Sequence, residues 1–163
     1  MIDIDRIYKV GAFNFMRAYS IKTHEEAISL QNGLQTIPMI KQNSIASHLK
    51  ADYRFMHIGL VLVAIKPLLK KGVNAPIFIA LRDKRLKKYK SSLLVVIQTN
   101  VCKSPIFCNC YPNFTVDLTC PLRTEALKLD VHVQGDEFHE FKNFVVLLRV
   151  YFRLMYKKQF YYK

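Results

Sequence analysis

The residues with the clearest chemical potential form a basic run at positions 82–90. Six of these nine residues are lysine or arginine, and Tyr89 lies among them. Clustered cations bind nucleic-acid phosphates with release of counterions, and an aromatic ring offers a surface on which an unpaired base stacks. The run therefore predicts sequence-tolerant binding of single-stranded nucleic acid. The simpler alternative is a solvated basic loop without a partner.

The region around this run is also basic. Nine lysines and arginines lie between residues 66 and 90 against a single acid, which gives this segment +8 of the chain's net +13. Charge concentrated in this way favours a polyanionic partner. The residues predicted to bind nucleic acid are Lys66, Lys70, Lys71, Arg82, Lys84, Arg85, Lys87, Lys88, Tyr89 and Lys90. For the first three, the alternative is a strand end at Pro67 followed by a turn at Gly72.

The single acid of this region is Asp83, which follows a predicted strand directly. A lone carboxylate among cations is expected to pair with Arg82, Lys84 or Arg85, or to accept backbone amides at the turn. Both arrangements would make Asp83 an organiser of the turn. The alternative is a direct contact between Asp83 and a partner molecule.

No enzyme motif is present. The sequence has no G-x-S-x-G, no P-loop, no G-x-G-x-x-G and no H-E-x-x-H. His57 and the pair Ser91 and Ser92 are the only combination that suggests a nucleophile with its base, and no motif supports it. We therefore expect no catalytic residues, no cofactor and no small-molecule substrate.

Four cysteines are present, at Cys102, Cys108, Cys110 and Cys120. In a cytosolic chain they are expected to be reduced, with Cys108 and Cys110 on one face of a strand. A zinc site is the alternative, but the C-x-C spacing differs from a zinc knuckle and no histidine lies between residues 102 and 120. The sequence therefore predicts packed thiols and no metal site.

Apolar runs of five to ten residues, separated by turn signals, dominate the chain after residue 52. The predicted strands cover residues 56–66, 77–82, 93–99, 106–111, 114–118, 127–134 and 145–155. Gly72, Pro112 and Asn113 are predicted turn residues. A capping box that starts at Thr23 predicts a short helix at about 25–31, and a second helical turn is predicted at 44–49. The chain is thus mostly β, an antiparallel sandwich or barrel with one or two short N-terminal helices.

The segment 145–155 alternates apolar residues with Arg149 and Arg153, so one of its faces is predicted to reach the core or a neighbouring subunit. We expect it to serve as an exposed edge through which copies of the chain associate. The basic, aromatic tail at 156–163 is expected to be an exposed end that follows a packed last strand, and contact with a membrane surface or a partner is the alternative.

The length of 163 residues fits one domain, with a lead-in at about 1–52, a core at about 53–155 and the tail at 156–163. Asp3 and Asp5 interrupt what would be a signal peptide, so the chain is expected in the cytosol. Lys66 and Arg149 interrupt the longest apolar runs, so no membrane-spanning helix is expected.

Five ordered motifs, at 57–74, 77–85, 91–97, 105–118 and 127–135, resemble the movement proteins of the thirty-kilodalton superfamily of plant viruses, in particular those of caulimovirus-like and badnavirus-like pararetroviruses. The resemblance implies a jelly-roll-like β-sandwich. It also implies transport of viral nucleic acid or nucleoprotein between cells, self-association, and action on plasmodesmata from the host cytoplasm and cell periphery. Asp83 matches the signature aspartate of the family's LxD motif, which implies that transport depends on it. The alternatives are a capsid-like structural subunit and a host single-strand-binding module.

Overall fold

The computed structural model describes residues 19–30, 33–68, 76–100, 105–134 and 144–157. Within these ranges the chain forms nine strands, two helices and one 3₁₀ turn. The strands are β1 Tyr19–Leu30, β2 Gly33–Pro38, β3 Phe55–Pro67, β4 Pro76–Arg82, β5 Leu93–Asn100, β6 Ile106–Cys110, β7 Phe114–Asp117, β8 Lys128–Val133 and β9 Phe144–Met155. The helices are α1 Gln42–Lys50 and the single turn α2 Tyr89–Ser92, and the 3₁₀ turn is Arg123–Glu125.

The strands form two antiparallel sheets. One sheet has the order β1-β9-β3-β6, with β7 continuing the β6 position along β3, and the other has the order β2-β8-β4-β5. Consecutive strands therefore alternate between the sheets for much of the chain, which is the pattern of a jelly roll. The jelly-roll-like sandwich expected from the sequence is confirmed.

The core lies between the two sheets and is built by alternation along each strand. In β9, the face predicted to be apolar is buried; its members are Val146, Leu148, Val150, Phe152 and Leu154. In β8, Leu129, Val131 and Val133 are buried in the same way. All seven predicted strands are present, and each of their ends lies within one residue of the prediction. Helix α1 also confirms the predicted helical turn at 44–49.

The predicted helix at 25–31 is wrong, because residues 19–30 form strand β1. This strand pairs with β9 over its whole length, from Tyr19 opposite Met155 to Leu30 opposite Phe144. Strand pairing over twelve residues stabilises this segment more than a helix N-cap, which contributes about 1 kcal/mol. With β2, this strand also extends the two sheets beyond the core range of 53–155 expected from the sequence.

The expectation that 145–155 forms an exposed edge is also wrong. Strand β9 lies between β1 and β3 and pairs with both. Among the described strands, the sheet edges belong to β1 and β6 with β7 in one sheet, and to β2 and β5 in the other. Any association through a sheet edge must therefore use one of these strands.

The predicted turn at Pro112 and Asn113 joins β6 to β7. Asn113 has a φ of 51°, a left-handed conformation that asparagine tolerates well, and its Oδ1 lies 3.1 Å from Nε2 of the buried His57. Both features fit a structural role for this connection. Phe114 packs against the core, and Phe107 is 74% exposed. Gly72 lies outside the described residues.

Cys108 and Cys110 lie on one face of β6 as expected, and with Cys120 they are free thiols. Burial, followed by the neighbouring Cys108, raises the pKa of Cys110 to about 11. This thiol is therefore protonated and packed at neutral pH. Cys102 lies outside the described residues.

Candidate nucleic-acid interface

The basic run lies at one end of the sandwich, in the segment 83–92 that joins β4 to β5. Arg82 ends β4 and pairs with Lys128 of β8, and Leu93 begins β5. The amide of Asp83 donates to the carbonyl of Ser92 (2.8 Å), which closes the segment at its base. The amide of Lys84 donates to the carbonyl of Glu125 (2.9 Å) and ties the segment to the 3₁₀ turn.

Asp83 organises the first turn of this segment. Its side chain is buried, and only 6% of the residue is exposed. Oδ1 accepts the amide of Arg85 (3.1 Å) and its Nε (2.9 Å), while Oδ2 accepts its terminal nitrogen (2.6 Å). Of the three cations predicted as partners, Arg85 is the one that Asp83 binds. This bidentate pair fixes both the turn and the guanidinium, which lies 5.0 Å from the ring of Phe114.

A second buried carboxylate, Asp130 of β8, binds the other two cations. Its Oδ2 accepts Arg82 (3.1 Å), and its Oδ1 accepts Thr36 of β2 (2.7 Å) and contacts Nζ of Lys84 at 2.9 Å. Burial alone would raise the pKa of Asp130, but the hydrogen bonds from Lys84, Thr36 and Arg82 outweigh it and lower that pKa. Asp130 therefore joins β2, β4, β8 and the segment 83–92.

No sequence motif marks Asp130 as a residue of this site. Ser92, fully buried, was also missed: its hydroxyl accepts Nε of Arg82 (2.9 Å) and donates to the carbonyl of Tyr89 (2.7 Å). The sequence feature that could have pointed to Asp130 is its position as an isolated acid in a predicted strand of a strongly basic chain. Its partners are set by strand register, which no local pattern reveals.

Replacing Asp130 by asparagine should lower the free energy of unfolding at pH 7 by about 2 kcal/mol, because Arg82 and Lys84 lose their shared charged acceptor. Since the pKa of this carboxyl is lowered on folding, its contribution is present above about pH 4 and is lost as the pH falls below that value. Denaturant unfolding between pH 7 and pH 2 should therefore show wild type and Asp130→Asn converging at low pH. Asp117→Asn, at an exposed turn carboxylate, is the control. A constant difference across this range would contradict the assignment.

The tip of the segment carries the exposed cations. Lys87, Lys88 and Lys90 are exposed and make no ion pair with any residue that the structure describes. Tyr89 is 51% exposed, and the guanidinium of Arg82 lies 4.2 Å from its ring centroid. One face of the ring is thus covered, which leaves the other for a base. The predicted residues therefore divide into anchoring cations and an outward tip, which we call the lysine tip (Lys87, Lys88 and Lys90).

Lys66 does not join this group. It lies near the far end of β3, opposite Val145, whereas Arg85 contacts Phe114, which pairs with Ile58. At about 3.3 Å per residue, Lys66 and Ile58 are roughly 26 Å apart along the strand. Lys66 is therefore not part of the basic patch around the segment 83–92. Lys70 and Lys71 lie outside the described residues.

The described ranges contain no group of three or more His, Cys, Asp or Glu side chains placed to hold a metal ion. Neither described helix has the length and apolar composition of a membrane span. What the arrangement offers chemically is an anchored turn with an exposed cationic and aromatic tip.

Solved virus structures share this fold. Turnip yellow mosaic virus aligns with a TM-score of 0.62 at 10% identity, over 84% of this chain and 92% of the viral chain. Cocksfoot mottle virus aligns with a TM-score of 0.61 at 9% identity, over 90% and 89% of the two chains. At such identities the likeness concerns the fold alone.

Sequence comparisons give the family. The movement protein of Cauliflower mosaic virus (strain W260) is 27% identical over 134 residues, which cover 77% of this chain and 38% of the viral protein. The genome polyprotein of Petunia vein clearing virus (isolate Shepherd) is 31% identical over 91 residues, 55% of this chain and 4% of the polyprotein. The chain thus spans about two fifths of the movement proteins it matches. The family model for viral movement protein matches residues 1–161, and the chain therefore belongs to the viral movement protein family.

Proposed function

We propose that this chain carries viral nucleic acid or nucleoprotein from cell to cell and that it contacts the nucleic acid through the lysine tip and Tyr89. The observation that carries the proposal is the division of the basic segment. Arg82, Lys84 and Arg85 are held by buried carboxylates, while the lysine tip is exposed and makes no ion pair with a described residue. Such a turn presents its charge outward without requiring the loop to order on binding.

The chemistry of this surface fits single-stranded RNA or DNA of any sequence. Lysines contact phosphates, which carry no base identity, and the open face of Tyr89 accepts any base. Nothing in the segment presents the paired donors and acceptors that read base edges. The role is one of binding and transport without catalysis.

The rest of the proposal is supported by family membership. The chain acts at plasmodesmata or the adjoining membrane surface from the host cytoplasm, and copies of it associate. Free sheet edges among the described strands, such as β5, provide backbone groups through which association can occur.

The purified chain should bind single-stranded RNA and DNA with little sequence preference and a steep salt dependence. The lysine tip carries three cations, and the ion-paired Lys84 and Arg85, whose side chains are 24% and 26% exposed, bring the number that can reach a phosphate to five. Neutralising about five phosphates gives a log–log slope near −3.5 on a single strand. Filter binding from about 0.05 M to 0.2 M salt measures this slope, and affinity that does not change with salt would contradict the proposed interface.

A capsid-like structural subunit is the second candidate, favoured by the fold that the chain shares with the virus structures. In that role the basic segment would neutralise a packaged genome. Expression of a fluorescent fusion separates the two functions. Puncta at the cell wall and spread to neighbouring cells support transport, particles support a subunit, and diffuse or nuclear signal supports a host binding module.

A further inference from the structure

We propose that a pocket on the outer face of the sheet β2-β8-β4-β5 holds one base of the nucleic-acid strand that the lysine tip binds. The pocket lies where β4 begins and β8 ends, and it measures about 160 Å³. We call it the base pocket, after the four side chains that form its open surface, Phe78, Gln98, His132 and Gln134. The inference rests on the proposed function, because one nucleic-acid strand would occupy both the tip and the pocket.

Alternation along β4 places Phe78 on the outer face of the sheet. Ile77 and Ile79, on either side of it, are buried in the core, so Phe78 points away from the core. His132 of β8 and Gln98 of β5 lie directly opposite Phe78 on the two neighbouring strands. Side chains of opposed residues share one face of a sheet, so the three form a row across that face.

The same face carries Tyr89 near its other end. Arg82 follows Phe78 by four residues on β4 and therefore also points outward, where it donates to Asp130 (3.1 Å). The guanidinium of Arg82 lies 4.2 Å from the ring centroid of Tyr89. At about 3.3 Å per residue, Arg82 and Phe78 are roughly 13 Å apart along the strand. Ala80 is the outward residue between them, so no large side chain of β4 separates the tip from the pocket.

The side chains of the pocket have the chemistry that recognises a base. The ring of Phe78 is partly exposed and offers a surface on which a base stacks. Gln98 and Gln134 are exposed, and their carboxamides both donate to and accept from base edges. The imidazole of His132, next to the ring, adds a further donor or acceptor. Exposed aromatic rings on a β-sheet are a common means of holding the bases of a single strand.

The charges on this face allow a nucleic-acid strand to reach the pocket. No acidic side chain lines the pocket. Asp130 is the one acid in the described strands of this sheet, and Arg82 and Lys84 compensate its charge. Phosphates that leave the tip towards the pocket therefore meet no uncompensated carboxylate on these four strands.

The volume of the pocket favours a single six-membered ring. A cavity of about 150 Å³ holds one benzene molecule. A pocket of about 160 Å³ therefore encloses a pyrimidine base more completely than a purine, which has a second ring. We expect a modest preference for pyrimidine strands, about threefold, in addition to the sequence-tolerant contacts of the lysine tip.

Replacing Phe78 by leucine should lower the affinity for an oligouridylate of about ten nucleotides at least fivefold. Leucine keeps an apolar side chain on the sheet, so the protein should fold, but the stacking surface is lost. The slope of affinity against salt should not change, because no phosphate contact is removed. Filter binding at several salt concentrations measures both quantities.

The matched control removes a phenylalanine ring from the other sheet. Phe107 of β6 is 74% exposed, and Phe107→Leu should bind the oligouridylate as wild type does. Wild-type affinity in a folded Phe78→Leu protein, or an equal loss in the two variants, would overturn the base pocket.

Photocrosslinking locates the base without any substitution in the protein. An oligouridylate that carries iodouracil bonds on irradiation to an aromatic side chain in contact with the modified base. Mass spectrometry of the wild-type chain should find crosslinks at Phe78 or His132 in addition to Tyr89. Crosslinks confined to the segment 83–92 would contradict the inference.

The lysine-tip variant separates this inference from the proposed function. Glutamine at Lys87, Lys88 and Lys90 should reduce the salt slope and leave the preference for oligouridylate over oligoadenylate intact, whereas Phe78→Leu should do the reverse. A normal loss in the lysine-tip variant together with wild-type behaviour of Phe78→Leu would overturn the base pocket alone. Wild-type binding by the lysine-tip variant would overturn the proposed function.

Discussion

Replacing the lysine tip by glutamine at all three positions should lower the affinity for single-stranded nucleic acid roughly 100-fold near 0.05 M salt. Each phosphate contact adds about 0.7 to the salt slope, so the loss of three contacts should reduce its magnitude by about 2. The substituted side chains are exposed and make no ion pair within the described ranges, so the fold should be unchanged. Filter binding at several salt concentrations measures both quantities.

The matched control removes the same charge elsewhere. Lys50, Lys66 and Lys157 are also exposed, and their triple glutamine variant has the same net charge as the lysine-tip variant. This control variant should retain most of the affinity for single-stranded nucleic acid. It loses only long-range electrostatic attraction, because the direct contacts of the lysine tip with phosphate remain. Equal losses in the two variants would show that binding follows net charge and does not require the segment 83–92.

Replacing Asp83 by alanine should abolish cell-to-cell spread while leaving single-strand affinity unchanged or slightly higher. The substitution removes the carboxylate that binds Arg85 and its amide, so the turn loses its anchor and about 2 kcal/mol of stability. It also removes the negative charge beside Arg85, so the attraction of this side chain for phosphate should not decrease. The measurements are filter binding and the spread of a fluorescent fusion between neighbouring cells.

Two further variants separate the turn from the charge. Asp83→Asn keeps an acceptor for the amide of Arg85 and should retain part of the spread. Asp117→Ala removes an exposed turn carboxylate that bonds Thr119 and should spread as wild type does. Unimpaired spread of the Asp83→Ala protein would reject the role assigned to this residue.

Alternation predicted the strands that face the core with one apolar side. Strand β9 is the clearest case, since every second residue from Val146 to Leu154 is buried. The same rule failed for β1, because Lys22, His24 and Glu26 occupy its core-facing positions and leave no apolar stripe to recognise. The local capping signal at Thr23 was then the stronger pattern, although pairing with β9 decides the structure.

The candidate interface could be predicted only in part. The cationic run and the turn role of Asp83 follow from local sequence, since Arg85 is two residues away. The division of the cations into an anchored group and an exposed group depends on Asp130. This residue reaches Arg82 only because β4 pairs with β8. The separation of Lys66 from the tip likewise follows from the length of β3. The register between distant strands is fixed by the packing of the sandwich, and local sequence patterns do not reveal it.

The central claim, that this member of the viral movement protein family carries nucleic acid through an anchored lysine tip, is tested most directly by cell-to-cell spread. Fluorescent fusions of wild type, the lysine-tip variant and the matched charge control would be expressed in single epidermal cells of a leaf. We predict that wild type and the control enter neighbouring cells together with a labelled viral nucleic acid, and that the lysine-tip variant leaves the nucleic acid behind. Transport of the nucleic acid by the lysine-tip variant at the wild-type level would contradict the account.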